Sequence, residues 1–563
     1  MELPDEPTHK SPRHQHHRRP LQGSTPNSSL PDNRTADAVV VGAGFAGLYA
    51  IHKLKKLGLK VVCLEAAPDV GGTWFWNKYP GARCDVPSLE YSYSFSEELQ
   101  QEWTWTERFA SQTEILDYIR HVAARFDLRR DIIFSTRVTS ATFNETQNNW
   151  TLVTDTGLSV DARFFIAASG CLSAARTPVI PGVRNFRGTV YHSGQWPEAP
   201  ARLEDLRIGV VGTGSSGIQI IPELARVARQ LFVFQRTPNF SVPARNRPLQ
   251  KQEQALFKRY YQQNRARASE SNDGMLGMGA PTQSTLSVEE SARTRTYNAR
   301  WEHGGAAALL TPYNDLLTDR TANETLGEFV RGKIQAIVRN PALAEKLSPR
   351  DHYIGTKRVC QDSGYYETFN QEHVTLVDIR QEPISQITES GIKTAHGHYD
   401  LDALIFATGY DAVTGPLLAM NVRGKSGLRL ADKWADGPKV YLGLVTSGFP
   451  NLFIVTGPGS PSVKGNMVHS IEQHVNFIAD CLAYLRNNKL NMIDSDLEAE
   501  ERWSEHVREV AERTLFPLAD SWYVGANIPG KPRVFLPYVG GIPAYRKTCE
   551  RVVANGYEGF HLQ

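Results

Sequence analysis

Two copies of one glycine pattern constrain this chain more than any other feature. The first reads V-V-V-G-A-G-F-A-G from Val39, and the second reads G-V-V-G-T-G-S-S-G from Gly209. In such a strand–turn–helix unit the first glycine permits the tight turn, the second lets the backbone approach a pyrophosphate, and the third allows close helix–strand packing. We therefore predict an α/β fold with two dinucleotide-binding (Rossmann-like) domains. The glycines concerned are Gly42, Gly44 and Gly47, then Gly212, Gly214 and Gly217.

The residue that follows the second strand of each unit predicts which dinucleotide binds there. The strand predicted at 60–64 ends in Glu65, and an acidic side chain there suits a ribose diol and repels a 2′-phosphate. The strand predicted at 231–234 leads instead to Arg236 and Thr237, and arginine presents a planar fork of donors that matches a phosphate. Chains with two such units usually pass a hydride from nicotinamide to flavin. We therefore predict FAD in the first unit and NADPH in the second.

An aromatic segment follows the first unit and reads G-G-T-W-F-W-N-K-Y-P-G-A-R-C-D, from Gly71 to Asp85. Three large aromatic residues among Gly-Gly and Pro-Gly pairs do not fit a regular strand or helix. We expect an ordered loop that covers a flat ring, with a chemical role for Asp85. A surface loop is the alternative, in which Asp85 caps a helix within residues 87–96.

Composition narrows the class of protein. An apolar fraction of 41%, a charged fraction of 22% and a net charge of +2 are typical of a soluble globular protein with no nucleic-acid partner. No apolar run reaches the roughly 18 residues of a membrane span. Six cysteines occur singly, without C-x-x-C, so we expect no metal site and no redox dithiol. Sparse cysteines fit a cytoplasmic protein.

Changes in the pattern along the chain predict the domain layout. Residues 1–35 are polar, basic and rich in histidine, which predicts a disordered arm, with metal binding by its histidines as the alternative. Apolar runs at 164–170 and 404–409 mark where the chain leaves the first domain and returns. We expect a monomer with the FAD-binding domain at 36–172 and 401–563, the NADP-binding domain at 173–245 and 351–400, and a helical insertion at 246–350.

Further motifs give the chain a family resemblance. The pattern F-x-G-x-x-x-H-x-x-x-W-P is matched by Phe186, Gly188, His192, Trp196 and Pro197. Together with the aromatic segment and the stretches G-T-K-R at 355–358, A-T-G-Y-D-A at 407–412 and S-W-Y-V-G-A-N-I-P-G-K at 521–531, it resembles a type I (class B) flavin-dependent Baeyer–Villiger monooxygenase. The resemblance covers residues 36–560. Related N-hydroxylating and flavin-containing monooxygenases lack the Trp-Pro ending.

The resemblance implies roles for individual residues. Arg358 would lie over the flavin and stabilise a peroxide anion, with Asp85 paired to it. Lys357 and Arg236 would contact the NADP phosphate, and Trp522 would touch the NADP ribose. His192 would have a conformational role, although an ordinary buried histidine is an equal alternative. Further cofactor contacts are expected from Gly72, Thr73, Trp74, Tyr91, Ser215 and Thr237.

The activity implied by the resemblance is FAD-dependent and consumes NADPH. One oxygen atom from O2 is inserted beside the carbonyl of a small-molecule ketone through a C4a-peroxyflavin, which gives an ester or lactone. The alternatives are a related monooxygenase that oxygenates nitrogen or sulfur and a non-catalytic nucleotide-binding flavoprotein. The sequence does not identify the ketone, whose pocket we expect to be lined by residues 424–437 and 275–278.

Overall fold

The computed structural model describes residues 35–277 and 281–563. Of the predicted arm, residues 1–34 lie outside this range, and Thr35 already begins the first strand. The strands of the described residues are β1 Thr35–Val41, β2 Val61–Leu64, β3 Ile132–Ile133, β4 Val138–Asn144, β5 Asn149–Thr154, β6 Ser159–Ala167, β7 Thr189–His192, β8 Arg207–Val211, β9 Gln230–Gln235, β10 Ser241–Pro243, β11 Cys360–Asp362, β12 Val374–Asp378, β13 Ile384–Ile387, β14 Gly391–Thr394, β15 His398–Asp400, β16 Ala403–Phe406, β17 Val422–Arg423, β18 Leu452–Ile454, β19 Ile493–Ser495 and β20 Phe560–Leu562.

Helices alternate with these strands and fill the segment between β10 and β11. Those of the described residues are α1 Phe45–Lys56, α2 Thr73–Trp76, α3 Glu97–Glu102, α4 Gln112–Arg125, α5 Ser215–Ala225, α6 Lys251–Arg259, α7 Tyr261–Ser269, α8 Glu290–His303, α9 Ala306–Leu310, α10 Arg320–Ile337, α11 Pro341–Leu347, α12 Tyr365–Thr368, α13 Gly415–Leu418, α14 Leu430–Lys433, α15 Met467–Asn487, α16 Leu497–Glu512 and α17 Ile542–Ala554. None of them is long and apolar enough to cross a bilayer.

The first glycine loop connects β1 to α1 beside an eight-stranded sheet. Its strand order is β17-β4-β5-β6-β1-β2-β3, with β18 also paired to β6, and β1 runs parallel to both of its neighbours. Gly42 has a φ of +104°, and a Cβ there would lie 2.5 Å from the carbonyl oxygen of Ala168. Glycine is therefore required where the chain turns against β6. α15 packs on the same unit, where the Tyr49 hydroxyl donates to Asn476 Oδ1 at 2.8 Å.

The second glycine loop repeats this arrangement in a separate sheet. The order is β12-β9-β8-β16-β7, and every pair is parallel. Gly212 has a φ of +113°, and α5 buries Ile218 and Ile221 completely against the sheet. The chain thus folds into two Rossmann-like units, as the paired glycine patterns predict.

One predicted domain boundary is wrong. Strand β16, Ala403–Phe406, pairs with β8 and β7 in the second sheet, whereas the boundary at 401 assigned it to the FAD-binding domain. A short buried apolar strand looks the same in either sheet, so composition could not locate it. The remaining boundaries stay predictions.

In the parts of 246–350 that the structure describes, 246–277 and 281–350, the chain forms helices α6 to α11 and no strand. These helices pack against two different parts of the protein. Trp301 on α8 and Val330 on α10 belong to the same buried apolar cluster as Ile221 of the second unit. On α7, by contrast, the Tyr261 hydroxyl donates to the Leu89 carbonyl oxygen at 3.0 Å. The helical segment therefore touches both the second unit and the segment that follows Asp85.

Candidate active site

A cavity of about 1210 Å³ lies between the two glycine loops. Its wall combines residues from both Rossmann-like units with the aromatic segment and the stretches around 357, 410 and 522. Most residues predicted to bind cofactor or to act chemically reach it: Gly42, Gly44, Glu65, Gly72, Thr73, Trp74, Asp85, Tyr91, Gly212, Gly214, Ser215, Arg236, Thr237, Lys357, Arg358 and Trp522. Gly47, Gly217 and His192 are not among the lining residues.

The helices that follow the two glycine loops begin without a side-chain cap. Gly44 precedes α1 and Gly214 precedes α5, and neither end has a side chain that accepts from the first-turn N–H groups. Side-chain caps do occur in this protein, as Ser111 caps α4 and Asp319 caps α10, although other helices such as α6 and α8 also lack one. Uncapped first turns present N–H donors and the positive end of the helix dipole. Both starts therefore fit the pyrophosphate of a dinucleotide.

The third glycine of each loop has a packing role. A Cβ on Gly47 would lie 1.7 Å from the Gly42 carbonyl oxygen, and one on Gly217 would lie 2.2 Å from the Gly212 carbonyl oxygen. No side chain fits at these distances, so these glycines set the approach of each helix to its strand. They act on the cofactor site through the shape of the loop.

Glu65 lies at the end of β2 and is only 4% exposed. Its carboxylate accepts hydrogen bonds from the backbone N–H of Ala43 at 2.5 Å and of Ala67 at 2.7 Å. Burial raises its pKa, and these hydrogen bonds oppose that shift. The carboxylate therefore holds the glycine loop and also reaches the cavity, where it can accept from a ribose diol. The sequence predicts that Glu65 accepts from a ribose diol, but it does not predict that Glu65 also holds the glycine loop.

The aromatic segment packs directly against the first glycine loop. Residues Thr73–Trp76 form the single helical turn α2, where an irregular loop was expected. A Cβ on Gly72 would lie 3.0 Å from the Gly44 Cα, and the Trp74 indole donates to the Tyr91 hydroxyl at 3.3 Å. No helix forms within residues 87–96, so the alternative that Asp85 caps a helix there is wrong.

Two cationic side chains, Arg236 and Lys357, line the cavity and act on each other electrostatically. Arg236 is exposed just after β9, and Lys357 lines the same cavity. Burial lowers the pKa of Lys357, the charge of Arg236 lowers it further, and Asp351 opposes the shift. Neighbouring positive charges of this kind fit a phosphate dianion, which would relieve their repulsion. This charge arrangement suits the 2′-phosphate of NADP.

Arg358 is held from several sides where the two units meet. Its Nε and Nη2 atoms each donate to an oxygen of Asp85 at 2.8 Å, and Nη1 donates to the Val463 carbonyl oxygen at 3.0 Å. The Tyr523 hydroxyl also interacts with the guanidinium. The charge of Asp85 raises the pKa of Arg358, so the guanidinium stays positive at every accessible pH. The structure thus brings together the two residues predicted to act chemically.

His192 lies at the end of β7, away from this centre. Its Nδ1 accepts from the Gly194 N–H at 3.0 Å and its Nε2 donates to the Arg176 carbonyl oxygen at 3.0 Å, a pattern that requires a neutral ring. Burial lowers its pKa and favours that form. Because Gly194 and Arg176 both line the cavity, His192 contacts the site only through its neighbours.

Sequence reasoning missed two side chains near Arg358 and misplaced part of the pocket wall. Tyr523 follows Trp522 in the motif at 521–531, and Lys464 follows Val463 in a segment without a recognisable motif. Residues 424–437 and 275–277 do not line the cavity, and residue 278 lies outside the described part of the chain. Apolar residues that do line the cavity include Cys171, Ala412 and Val463, which share a buried cluster with Tyr523. Pro416, Met420 and Met467 also line it.

Comparison with known proteins gives the family of this chain. A family model described as flavin-binding monooxygenase-like matches residues 35–247. A Baeyer–Villiger monooxygenase of Pseudooceanicola batsensis is 41% identical over 92% of this chain and 95% of its own length. A phenazine N-monooxygenase of Lysobacter antibioticus is also 41% identical, over 94% and 98%. The crystal structure of cyclohexanone monooxygenase from Rhodococcus sp. Phi1 bound to NADP+ superposes with a TM-score of 0.92 at 41% identity and covers 94% of this chain and 99% of that one. The chain belongs to the flavin-binding Baeyer–Villiger monooxygenases.

Proposed function

We propose that Arg358, oriented by Asp85, is the group that stabilises negative charge while a small ketone is oxidised by O2 in this cavity. The enzyme is an FAD-dependent, NADPH-consuming Baeyer–Villiger monooxygenase whose product is an ester or lactone. The observation that carries the assignment of Arg358 is its double hydrogen bond to Asp85 at the place where both units border the cavity.

The two Rossmann-like units supply the residues that would bind the two cofactors. Bound FAD and NADPH supply hydride transfer and the activation of oxygen. The uncapped starts of α1 and α5 donate N–H groups to the two pyrophosphates, and Glu65 accepts from the FAD ribose. Arg236 and Lys357 bind the 2′-phosphate of NADPH with two positive charges.

Arg358 lines the cavity and keeps N–H groups that are not used by Asp85 or Val463. A guanidinium has five N–H donors, and three of them are used by Asp85 and the Val463 carbonyl. The others are available to Tyr523 and to an oxygen atom that becomes negatively charged beside the ketone. A fixed donor in a site shielded from water stabilises such charge without having to reorient. Asp85 therefore acts as a positioning residue for Arg358.

Oxygenation of nitrogen is the second candidate, because one relative of equal identity is named for that reaction. The two functions are separated by incubating purified, FAD-loaded protein with NADPH and either a ketone or a heteroaromatic amine, followed by product analysis. We expect ester or lactone from the ketone at a higher kcat/KM than any N-oxide. Faster N-oxide formation, or NADPH consumption without either product, would contradict the proposed function.

We further propose that the protein works as a monomer in the cytoplasm. The six cysteines are buried free thiols with no disulfide among them, which suits a reducing compartment. Light scattering coupled to gel filtration tests the first statement, with a mass near 62.8 kDa expected for the chain. Fractionation of the native host tests the second, and activity recovered outside the cytoplasm would contradict it.

A further inference from the structure

Tyr523 is a buried side chain in contact with the Arg358 guanidinium. It is only 1% exposed, and its hydroxyl forms a hydrogen bond with that guanidinium. Because arginine offers N–H donors and no acceptor, the phenol oxygen is the acceptor of this bond. Burial raises the pKa of Tyr523, although the charge of Arg358 opposes the shift. The phenol is therefore protonated and neutral at neutral pH.

The N–H groups of Arg358 are divided among three partners that come from distant parts of the chain. Asp85 takes two of them and the Val463 carbonyl takes a third. Tyr523 takes a fourth, which leaves one of the five for an oxygen atom in the cavity. Asp85 carries a negative charge, whereas the other two acceptors are neutral. They can therefore fix the direction of the guanidinium without cancelling more of its charge.

The position of Tyr523 is itself fixed by its surroundings. Its carbonyl oxygen accepts from the Leu536 N–H at 2.8 Å, and its ring packs edge-on against that of Phe516, with 6.0 Å between the centroids. Further along the same segment, the Lys531 ammonium donates to Asp411 Oδ1 at 2.6 Å. A hydroxyl on a packed ring in an anchored segment meets the guanidinium without having to reorient.

We propose that Tyr523 is a second positioning residue for Arg358, whose hydroxyl keeps the guanidinium directed toward the reacting atoms. The inference rests on the proposed function of Arg358 and adds a residue on which that function depends. Asp85 binds the guanidinium along one edge, and a group held along one edge can still tilt about it. The contact with Tyr523 restricts this tilt. Because Arg358 lines the cavity and Tyr523 is not among the lining residues, Tyr523 acts through Arg358.

A packing role for Tyr523 makes different predictions. If only the ring mattered, Tyr523→Phe would keep the packing and leave kcat unchanged. If the hydroxyl supported the fold, its loss would lower the Tm and the FAD content, and it would lower product formation whether or not Arg358 is present. A positioning role changes kcat only while Arg358 is present, and it leaves the fold intact.

The test uses FAD-loaded full-length enzyme and whichever of cyclohexanone, 2-octanone and acetophenone the wild type converts fastest. Tyr523→Phe should lower kcat roughly five- to tenfold, because one hydrogen bond to the guanidinium is lost. The KM for the ketone, the FAD content and the Tm should stay close to those of the wild type. In the Arg358→Ala background, where product is measured after long incubation, Tyr523→Phe should cause no further loss.

Tyr545→Phe is the matched control, because Tyr545 is also a fully buried phenol but donates to the Leu442 carbonyl oxygen at 2.7 Å and is not among the residues that line the cavity. Its kcat should equal that of the wild type. The proposal is overturned if Tyr523→Phe keeps the wild-type kcat, or if it lowers product formation equally with and without Arg358. Failure of the proposed function would look different: the wild type would convert none of the ketones, or Arg358→Ala would convert them as fast as the wild type, and the inference would fall with it.

Discussion

Asp85 and Arg358 lie 273 positions apart in the chain and are joined by two hydrogen bonds of 2.8 Å. Asp85 ends the aromatic segment that packs on the first glycine loop, whereas Arg358 follows Lys357, which lies near Arg236 of the second unit. The ion pair therefore joins the aromatic segment, which packs on the first glycine loop, to the surroundings of the second unit. With the cofactors bound at the two glycine loops as proposed, a single guanidinium would be fixed relative to both of them.

Arg358→Ala should abolish most ester formation while the protein still binds FAD and is partly reduced by NADPH. Removal of one fixed electrostatic group typically lowers a rate by about 10²–10³-fold. Product analysis by gas chromatography, together with the flavin absorbance, measures both effects. Arg187→Ala is the control, because Arg187 is exposed and pairs with Glu389 at the surface. Substantial ester production by Arg358→Ala would remove this residue from the mechanism.

Asp85→Asn should be milder than the loss of Arg358. The amide keeps the shape of the side chain and can accept one hydrogen bond, but it lacks the charge that raises the pKa of Arg358 and orients it. We expect kcat to fall by roughly tenfold, which corresponds to the weakening of one charge-assisted hydrogen bond. FAD content is measured in parallel. A loss of FAD as large as the loss of turnover would show that Asp85 supports the fold instead.

Arg236→Ala should raise the KM for NADPH at least about tenfold and leave the KM for NADH nearly unchanged. The reason is the loss of a charge-assisted hydrogen bond to the 2′-phosphate, which is worth roughly 1.5–3 kcal/mol. Lys357 lies close enough to compensate in part, so the double variant should shift further. Steady-state kinetics with both nicotinamides test this. Arg226→Ala, at the exposed end of α5, should change neither value.

The features that the sequence predicts correctly are those encoded within one short segment. The turns at Gly42 and Gly212 follow from local spacing, and the structure reproduces them with positive φ. The surroundings of Lys464 could not be predicted, because its contacts with the rings of Phe516 and Tyr523 join segments that are far apart in the chain. The pairing of Asp85 with Arg358 was accessible only through family resemblance, since no local rule relates residues so distant.

His474 should make the protein less stable in mild acid. The ring is 1% exposed, its Nδ1 accepts from the Thr456 N–H at 3.0 Å, and burial lowers its pKa to about 3. In the unfolded chain its pKa returns to about 6.5, so the unfolded state binds an extra proton between these values. The stability that His474 contributes is therefore complete above about pH 6.5 and is lost as the pH falls toward 3.

Urea unfolding of the FAD-loaded protein at several pH values between about 7 and 5 measures this effect. One such proton corresponds to a slope of at most about 1.4 kcal/mol per pH unit. His474→Gln should reduce the slope, whereas His561→Gln, at an exposed position, should not. His52 and His469 have pKa values lowered to about 4 by burial, so part of the slope remains in the variant. An unchanged slope in His474→Gln would contradict the assignment.

Gly214→Ala and Gly217→Ala form a pair that separates cofactor binding from folding. A Cβ on Gly214 meets nothing within 4 Å and the φ there is −86°, whereas a Cβ on Gly217 would lie 2.2 Å from the Gly212 carbonyl oxygen. Gly217→Ala should therefore destabilise the protein by about 1–3 kcal/mol. Gly214→Ala should change the free energy of unfolding by less than about 1 kcal/mol.

Gly214→Ala should weaken the binding of NADP+, although it leaves the stability of the protein nearly unchanged. Its methyl group would occupy the space through which a pyrophosphate approaches the start of α5, so the Kd for NADP+ should rise at least about tenfold because phosphate hydrogen bonds are lost. Isothermal titration of NADP+ into the FAD-loaded variant gives this value, and urea unfolding gives the stability. A stable Gly214→Ala variant that binds NADP+ like the wild type would show that the pyrophosphate does not lie against this glycine.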